Sequence, residues 1–185
     1  MTFDGFAFDV VILDWLKSPP NFVLVMTSRP PILPPALGLS MMLAIFSLHF
    51  LKPIAIWLPY PANYLGLVPL TIGVLVHLLA ERELRVKGVV NANGEYNPNC
   101  PILVTSGVYQ FSRNPSHLGV ILIGCGLALW VGSVSPWLVV ILATLILNLF
   151  YIHAEEAELK YRFGSRYERY CQIVPRWIGR PHCRR

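Results

Sequence analysis

Long apolar stretches alternate with polar ones along this chain, among them a long loop at Lys87–Ser106 rich in Asn, Gly and Pro, and the polar ones carry nearly all the charge. A helix that crosses a bilayer needs about 20 apolar residues. From about Leu33 to Leu51 the chain meets that requirement, with Pro34 and Pro35 suited to a first helical turn and Lys52-Pro53 closing it. A second run, about Ala62 to Ala80, follows the Pro59-Tyr60-Pro61 turn and ends at Glu81, Arg82, Glu83, Arg85 and Lys87. Pro115 to Ile152 contains no Asp, Glu, Lys or Arg and is too long for one span. Gly132-Ser133-Val134-Ser135-Pro136 divides it into two helices joined by a tight turn. The pattern predicts an all-α integral membrane protein of about four transmembrane helices.

Two further elements flank these spans. Phe6–Leu16 is apolar but short, holds Asp9 and Asp14, and is broken by Lys17-Ser18-Pro19-Pro20, so residues 1–30 read as an interfacial segment carrying an amphipathic helix. Asp4 and the absence of a basic leader argue against a signal peptide there. After His153 the chain turns charged. Leu159, Phe163, Tyr167 and Cys171 recur every four residues, the stripe of a C-terminal cytoplasmic helix, with Gly164 placed to cap one helix and Ser165 to start the next. The 185 residues are read as a single membrane domain.

Composition sharpens this. Hydrophobic residues make up 55% and charged residues 14%, against about 25% charged in a soluble domain. The mean hydropathy is +0.54. The net charge of +5 does not point to nucleic acid, because the basic residues sit beside apolar runs and at the C-terminus, where they meet lipid headgroups. The connections at 53–63 and 132–136 hold no Lys or Arg between Lys52 and Arg82 or between Arg113 and Lys160, so the positive-inside rule puts the 82–113 loop, the C-terminal segment and both termini in the cytoplasm. Cys100, Cys125, Cys171 and Cys183 have no CxxC spacing, and no metal site is expected.

Two polar clusters flank the third and fourth spans. Tyr109, Arg113, Asn114 and His117 lie within about two helical turns at a membrane mouth, where uncompensated polar groups are costly. A helix start with a snorkelling arginine explains part of that cluster. His153, Glu155 and Glu156 follow the fourth span; they read either as a solvated face or as carboxylates that grip a cationic or hydroxylated ligand. The short hairpin turn brings Asn114 and His117 towards Glu155, so both clusters are expected in one pocket. His49 and His77, inside apolar spans, read as interhelical hydrogen-bonding residues, and Gly119, Gly124 and Gly126 as close-packing positions.

The stretches Pro101–Tyr109, Ser112-Arg113-Asn114-Pro115-Ser116-His117-Leu118-Gly119, and Glu155-Glu156…Phe163-Gly164…Tyr167…Tyr170…Val174-Pro175-Arg176 resemble the isoprenylcysteine carboxyl methyltransferase family, which is related to the membrane phospholipid N-methyltransferases. The resemblance covers residues 81–178 and implies S-adenosylmethionine as cofactor and a lipophilic, membrane-borne acceptor, carboxylate or amine. It implies a cofactor site of Ile102, Leu103, Val104, Tyr109, Asn114, Pro115, Ser116, His117 and Glu155. Arg113 and His117 are its candidate catalytic residues. Asn114 stands where the family's Arg-His-Pro-x-Tyr motif has His, and His117 where it has Tyr. Tyr151 stands where prenylcysteine enzymes are expected to carry an Arg for the substrate carboxylate, so it is the candidate substrate contact and argues against prenylcysteine itself.

Methyl transfer from a sulfonium is an in-line displacement with a neutral leaving group. It needs alignment and exclusion of water; only an amine or thiol acceptor must also lose a proton. Two other classes fit parts of the sequence: an NADPH-dependent membrane reductase of the sterol reductase type, and a non-enzymatic scaffold that keeps the fold.

Overall fold

The computed structural model describes residues 35–91, 97 and 100–179. The expected interfacial helix at 6–16 and both termini lie outside that set. Among the described residues the protein is all-α. Helix α1 spans Pro35–Leu51. A 3-10 turn, Ala62–Gly66, runs straight into α2, Leu67–Val86. A second 3-10 turn, Gly107–Gln110, precedes α3, Pro115–Val131. Helix α4, Pro136–Ile146, passes through a π turn at Leu147–Tyr151 into α5, Ile152–Phe163, and α6 is Ser165–Ile173.

Charge ends the apolar part of two helices without ending the helices. The second apolar run stops at Ala80, yet α2 continues through Glu81, Arg82, Glu83 and Arg85 to Val86. The stretch expected to end at Ile152 continues unbroken to Phe163. Glu, Arg and Lys are good helix formers, so they stop the lipid-compatible portion only. Glycines do the terminating. Gly88 (φ 72°) follows α2, Gly132 (φ 73°) follows α3, and Gly164 (φ 49°) separates α5 from α6.

Two helical stretches, Ala62–Val86 and Pro136–Phe163, are long and apolar enough to cross a membrane; Gly38–Leu51 and Pro115–Val131 are apolar but shorter. Val68, Ile72, Leu75 and Leu79 on α2, and Leu138, Ile141, Leu142 and Leu145 on α4, are all exposed. An uncovered apolar surface of this extent suits lipid rather than water.

Helix α3 is the centre of the bundle. On one side Val120, Leu127 and Ala128 pack with Met41 and Ile45 of α1 and Val140 and Ala143 of α4. On the other, α2 lies almost against its backbone. A Cβ on Gly119 would stand 2.7 Å from the Gly73 carbonyl oxygen, and one on Gly126 would stand 2.5 Å from the Leu70 nitrogen. Small residues at both positions permit that approach.

At the end of the bundle away from the charges, the chain after α1 lies along the α3–α4 turn. Trp57 N–H donates to the Gly132 carbonyl (3.0 Å) and Val134 N–H to that of Ala55 (2.9 Å). His49 Nδ1 meets Ser133 Oγ at 2.8 Å, which ties α1 to the α3–α4 turn rather than to another helix.

Candidate active site

At the charged end, the segment before α3 is held by the chain after α6. Arg113 N–H donates to the Pro175 carbonyl (2.9 Å), while Ser112 Oγ and Asn114 Nδ2 both donate to the Arg176 carbonyl (3.1 Å each). Asn114 occupies the N-cap position of α3, with its own N–H bonded to Ser112 Oγ at 3.1 Å, and Pro115 fills the first turn, where a missing N–H costs nothing. Tyr170 O–H donates to the Tyr109 carbonyl (2.6 Å) and so fixes the 3-10 turn. Ser106 Oγ donates to Glu83 Oε2 (2.9 Å), tying the same segment to the end of α2.

Glu156 ties this end together. Its carboxylate takes a two-pronged hydrogen bond from Arg176, Nε to Oε1 at 3.0 Å and Nη2 to Oε2, and pairs with Arg113 Nη1 at 3.2 Å. Arg113 Nη1 also lies 2.6 Å from Cys171 Sγ and 3.4 Å from Tyr167 Oη. Burial by itself would lower the Arg113 pKa, but Glu156, Tyr167 and Cys171 raise it, so the guanidinium stays charged. Burial, followed by Glu156, pushes the Tyr167 hydroxyl up, and burial pushes Tyr170 up. Both phenols remain neutral hydrogen-bonding groups.

Above this clasp opens a cavity. Ile102, Leu103, Val104, Tyr109, Asn114, Pro115, Ser116, His117 and Glu155 all line it, so the residues expected at a cofactor site share one wall system. Glu81, Leu84, Val89, Val90, Arg113, Glu158, Leu159, Phe163 and Tyr170 complete it. The enclosed part is about 110 Å³, and a shallower groove of about 420 Å³ adjoins it across Phe163, beside Cys100, Pro101, Arg162 and Arg166. His117 Nδ1 stands 3.9 Å from Glu155 Oε2, which brings the two sequence clusters together as the hairpin requires. Although the Glu155 side chain is 31% exposed, its Oε2 is enclosed and has no hydrogen-bond partner, and the same holds for His117 Nε2. Buried polar atoms are normally satisfied, so a carboxylate oxygen and an imidazole nitrogen without partners in one cavity stand out from the rest of its lining.

The ionisable side chains that line the cavity are mainly acidic. Glu81, Glu155 and Glu158 line the cavity, whereas the one lysine or arginine among its lining residues, Arg113, is neutralised by Glu156. Burial, then Glu155 and Glu81, raises the Tyr109 hydroxyl well above the usual tyrosine value, so it stays protonated as a donor among carboxylates.

The structure does not bring every predicted residue to the cavity. Tyr151 lies in the π turn, half-buried, and is not a lining residue. Arg113 contributes to the wall, but its guanidinium is committed to Glu156, Tyr167 and Cys171. Sequence reasoning missed Glu81 and Glu158 as lining groups and Arg176 as the anchor of the clasp. The Arg176 signal was present in the Val-Pro-Arg tail, but nothing in its spacing showed that Glu156 would receive it.

A model of the phospholipid methyltransferase family matches residues 61–166, more than half of the chain. The matched region takes in α2, α3, α4, α5 and nearly every cavity residue. An uncharacterized protein of Haemophilus influenzae is 42% identical over 62 residues, 34% of this chain and 98% of that protein. No solved structure matches the chain. With an apolar helical bundle, a cavity at one end lined by apolar side chains, carboxylates and a histidine, and a match that takes in four of the helices and most of that cavity, the chain belongs to the phospholipid methyltransferase family, a family of membrane methyltransferases.

Proposed function

We propose that this protein uses S-adenosylmethionine to methylate an amine carried by a membrane lipid. The observation that carries the choice of acceptor is the charge of the cavity: three carboxylates, Glu81, Glu155 and Glu158, line it, and its one arginine is bound to Glu156. Arg162 and Arg166 line only the adjoining groove, so an acceptor carboxylate inside the enclosed cavity would lie among acidic side chains, whereas an ammonium headgroup there meets complementary charge.

The residues present fit the cofactor. Open acceptor capacity at Glu155 Oε2 suits an ammonium or hydroxyl donor, and His117 Nε2 offers a second polar contact. Ile102, Leu103 and Val104 offer an apolar wall for a base, with the Tyr109 hydroxyl beside the carboxylates. When bound, the cofactor supplies a methyl group on a cationic sulfur that leaves as a neutral thioether. The chain's own contribution is to hold both reactants, to keep water from the methyl group, and to accept the acceptor's proton. The enclosed volume suits the reactive end of the cofactor, and the open mouth is free for the remainder.

In this reading all four apolar helices span the bilayer, residues 81–178 form the cofactor-binding region, and the cavity and both termini face the cytoplasm. The test is methyl incorporation in nanodiscs from isotopically labelled S-adenosylmethionine. Phosphatidylethanolamine should gain label and a farnesylcysteine analogue should gain little. Efficient labelling of the prenylcysteine analogue with none on amine lipids would overturn the choice of acceptor.

A further inference from the structure

An amine headgroup near neutral pH carries a proton that must leave before its nitrogen can attack. The cavity shows where that proton can go. Ser116 lines the cavity from the first turn of α3, and its Oγ lies 3.0 Å from Nδ1 of His77 on α2. The same nitrogen is 3.3 Å from the Ser116 carbonyl. With the ring proton on Nε2, the shorter contact is the serine hydroxyl donating to Nδ1; with the proton on Nδ1, the ring would instead donate to the serine. His77 is held there by the close α2–α3 contact, since its Cβ and N sit 2.8 and 2.9 Å from where a Gly119 Cβ would be. One turn further along α2, at i+4 and on the same face, Glu81 lines the cavity. An imidazole within an apolar helix, bonded to a cavity hydroxyl and followed by a carboxylate towards the charged surface, is more than interhelical glue.

We propose that Ser116 and His77 form the proton exit for the acceptor amine. The inference rests on the amine reading above. The ammonium gives its proton to Ser116 Oγ as the serine proton passes to His77 Nδ1. The products are a neutral amine, an unchanged serine and an imidazolium. The nitrogen lone pair then forms the new N–C bond while the electron pair of the broken C–S bond stays on sulfur. The imidazolium returns its proton to solvent past Glu81, so each methylation releases one proton and the relay is reset. Ser116 is the catalytic residue, because it touches the acceptor; His77 acts through it as a positioning and proton-holding group. The other titratable groups lining the cavity beside this relay are Glu81 on α2, Tyr109 on the 3-10 turn, Arg113 just before α3, His117 on α3, Glu155 and Glu158 on α5, and Tyr170 on α6.

The experiment uses the full chain in nanodiscs with phosphatidylethanolamine as acceptor. In wild type the relay takes the amine's proton directly, so kcat at pH 7 does not wait on the small fraction of free amine in solution. His77→Gln keeps a partner for the serine hydroxyl but cannot hold the proton. Its kcat at pH 7 should fall about 10²–10⁴-fold, the usual range for lost acid–base help, and should recover as pH approaches the amine's own pKa, about 10 for a lysine-like amine. Ser116→Ala should show the same alkaline recovery. S-adenosylmethionine affinity and affinity for phosphatidylcholine, whose nitrogen has no proton to lose, should stay within about twofold in His77→Gln. A His77→Gln profile parallel to wild type, or a loss of cofactor and phosphatidylcholine affinity without alkaline recovery, would show that His77 serves only packing. No methylation of amine lipids by wild type would instead overturn the reading on which the relay rests.

Discussion

Glu155 and Glu156 are neighbours in sequence with different tasks. Glu156 is saturated by Arg176 and Arg113, while Glu155 Oε2 is enclosed beside His117 with no hydrogen-bond partner. Removing Glu156 would leave two arginines without their shared anion, and breaking a buried pair costs several kcal/mol. It therefore acts on the fold of the charged end. In the proposed function Glu155 acts on what the cavity binds. Glu155→Ala should weaken S-adenosylmethionine binding by about ten- to a hundredfold, the equivalent of a charge-assisted hydrogen bond of roughly 1.5–3 kcal/mol. Glu158→Ala, which also removes a lining carboxylate, should have a smaller effect, because none of its oxygens is both enclosed and left without a partner. Isothermal titration on both variants decides it: equal losses would mean that Glu155 contributes only to the general negative field.

At the scale of elements, glycines along α3 separate two kinds of close contact. A Cβ at Gly119 meets backbone, the Gly73 carbonyl oxygen at 2.7 Å and the His77 nitrogen at 2.9 Å, whereas one at Gly124 meets the flexible end of Met41, 3.0 Å from its methyl and 3.2 Å from its sulfur. Ala is the better helix former by roughly 0.5–1 kcal/mol, so each substitution starts with a gain. At Gly124 Met41 can turn aside, and the melting temperature in detergent should hold or rise. At Gly119 two backbones must separate, at a cost of about 1–3 kcal/mol, and the melting temperature should fall. Matching melting curves for Gly119→Ala and Gly124→Ala would contradict the α2–α3 contact. The sequence carries much of this element-level order. The apolar runs locate the four apolar helices, the four-residue stripe anticipates that Leu159, Phe163, Tyr167 and Cys171 pack in one cluster, and the short Gly132–Pro136 turn implies that His117 nears Glu155. The sequence does not show that α2 carries Glu81 and His77 into the cavity region, because a charge at the end of an apolar run looks the same whether it faces solvent or a pocket. Nor does it show which way Arg113 points. That depends on Glu156, Tyr167 and Cys171, 43 to 58 positions away along the chain and joined to it only when α5 and α6 fold back.

For the whole molecule, the distribution of charge and aromatic rings defines two ends. Trp57 and Trp137 approach at 6.5 Å, and Tyr60 and Tyr64 at 5.7 Å, beside the α3–α4 turn. Tryptophan and tyrosine gather where a bilayer meets water. The opposite end holds the cavity, the Glu156 clasp and, among the described residues, every Lys and Arg except Lys52. Positive charge is retained on the cytoplasmic side during insertion, so the cavity should open to the cytoplasm and the aromatic end should face away. Two exposed positions report the two ends: Val134 in the α3–α4 turn, 40% exposed, and Tyr161 near the end of α5, 83% exposed. Each is replaced singly by cysteine and treated with a membrane-impermeant maleimide in sealed right-side-out vesicles, with the unsubstituted protein setting the background from its native cysteines. Val134→Cys should label in intact vesicles, and Tyr161→Cys only after permeabilisation. Labelling of both in intact vesicles would place the two ends on one side of the bilayer, and the four-span arrangement would have to be abandoned together with the cytoplasmic cavity.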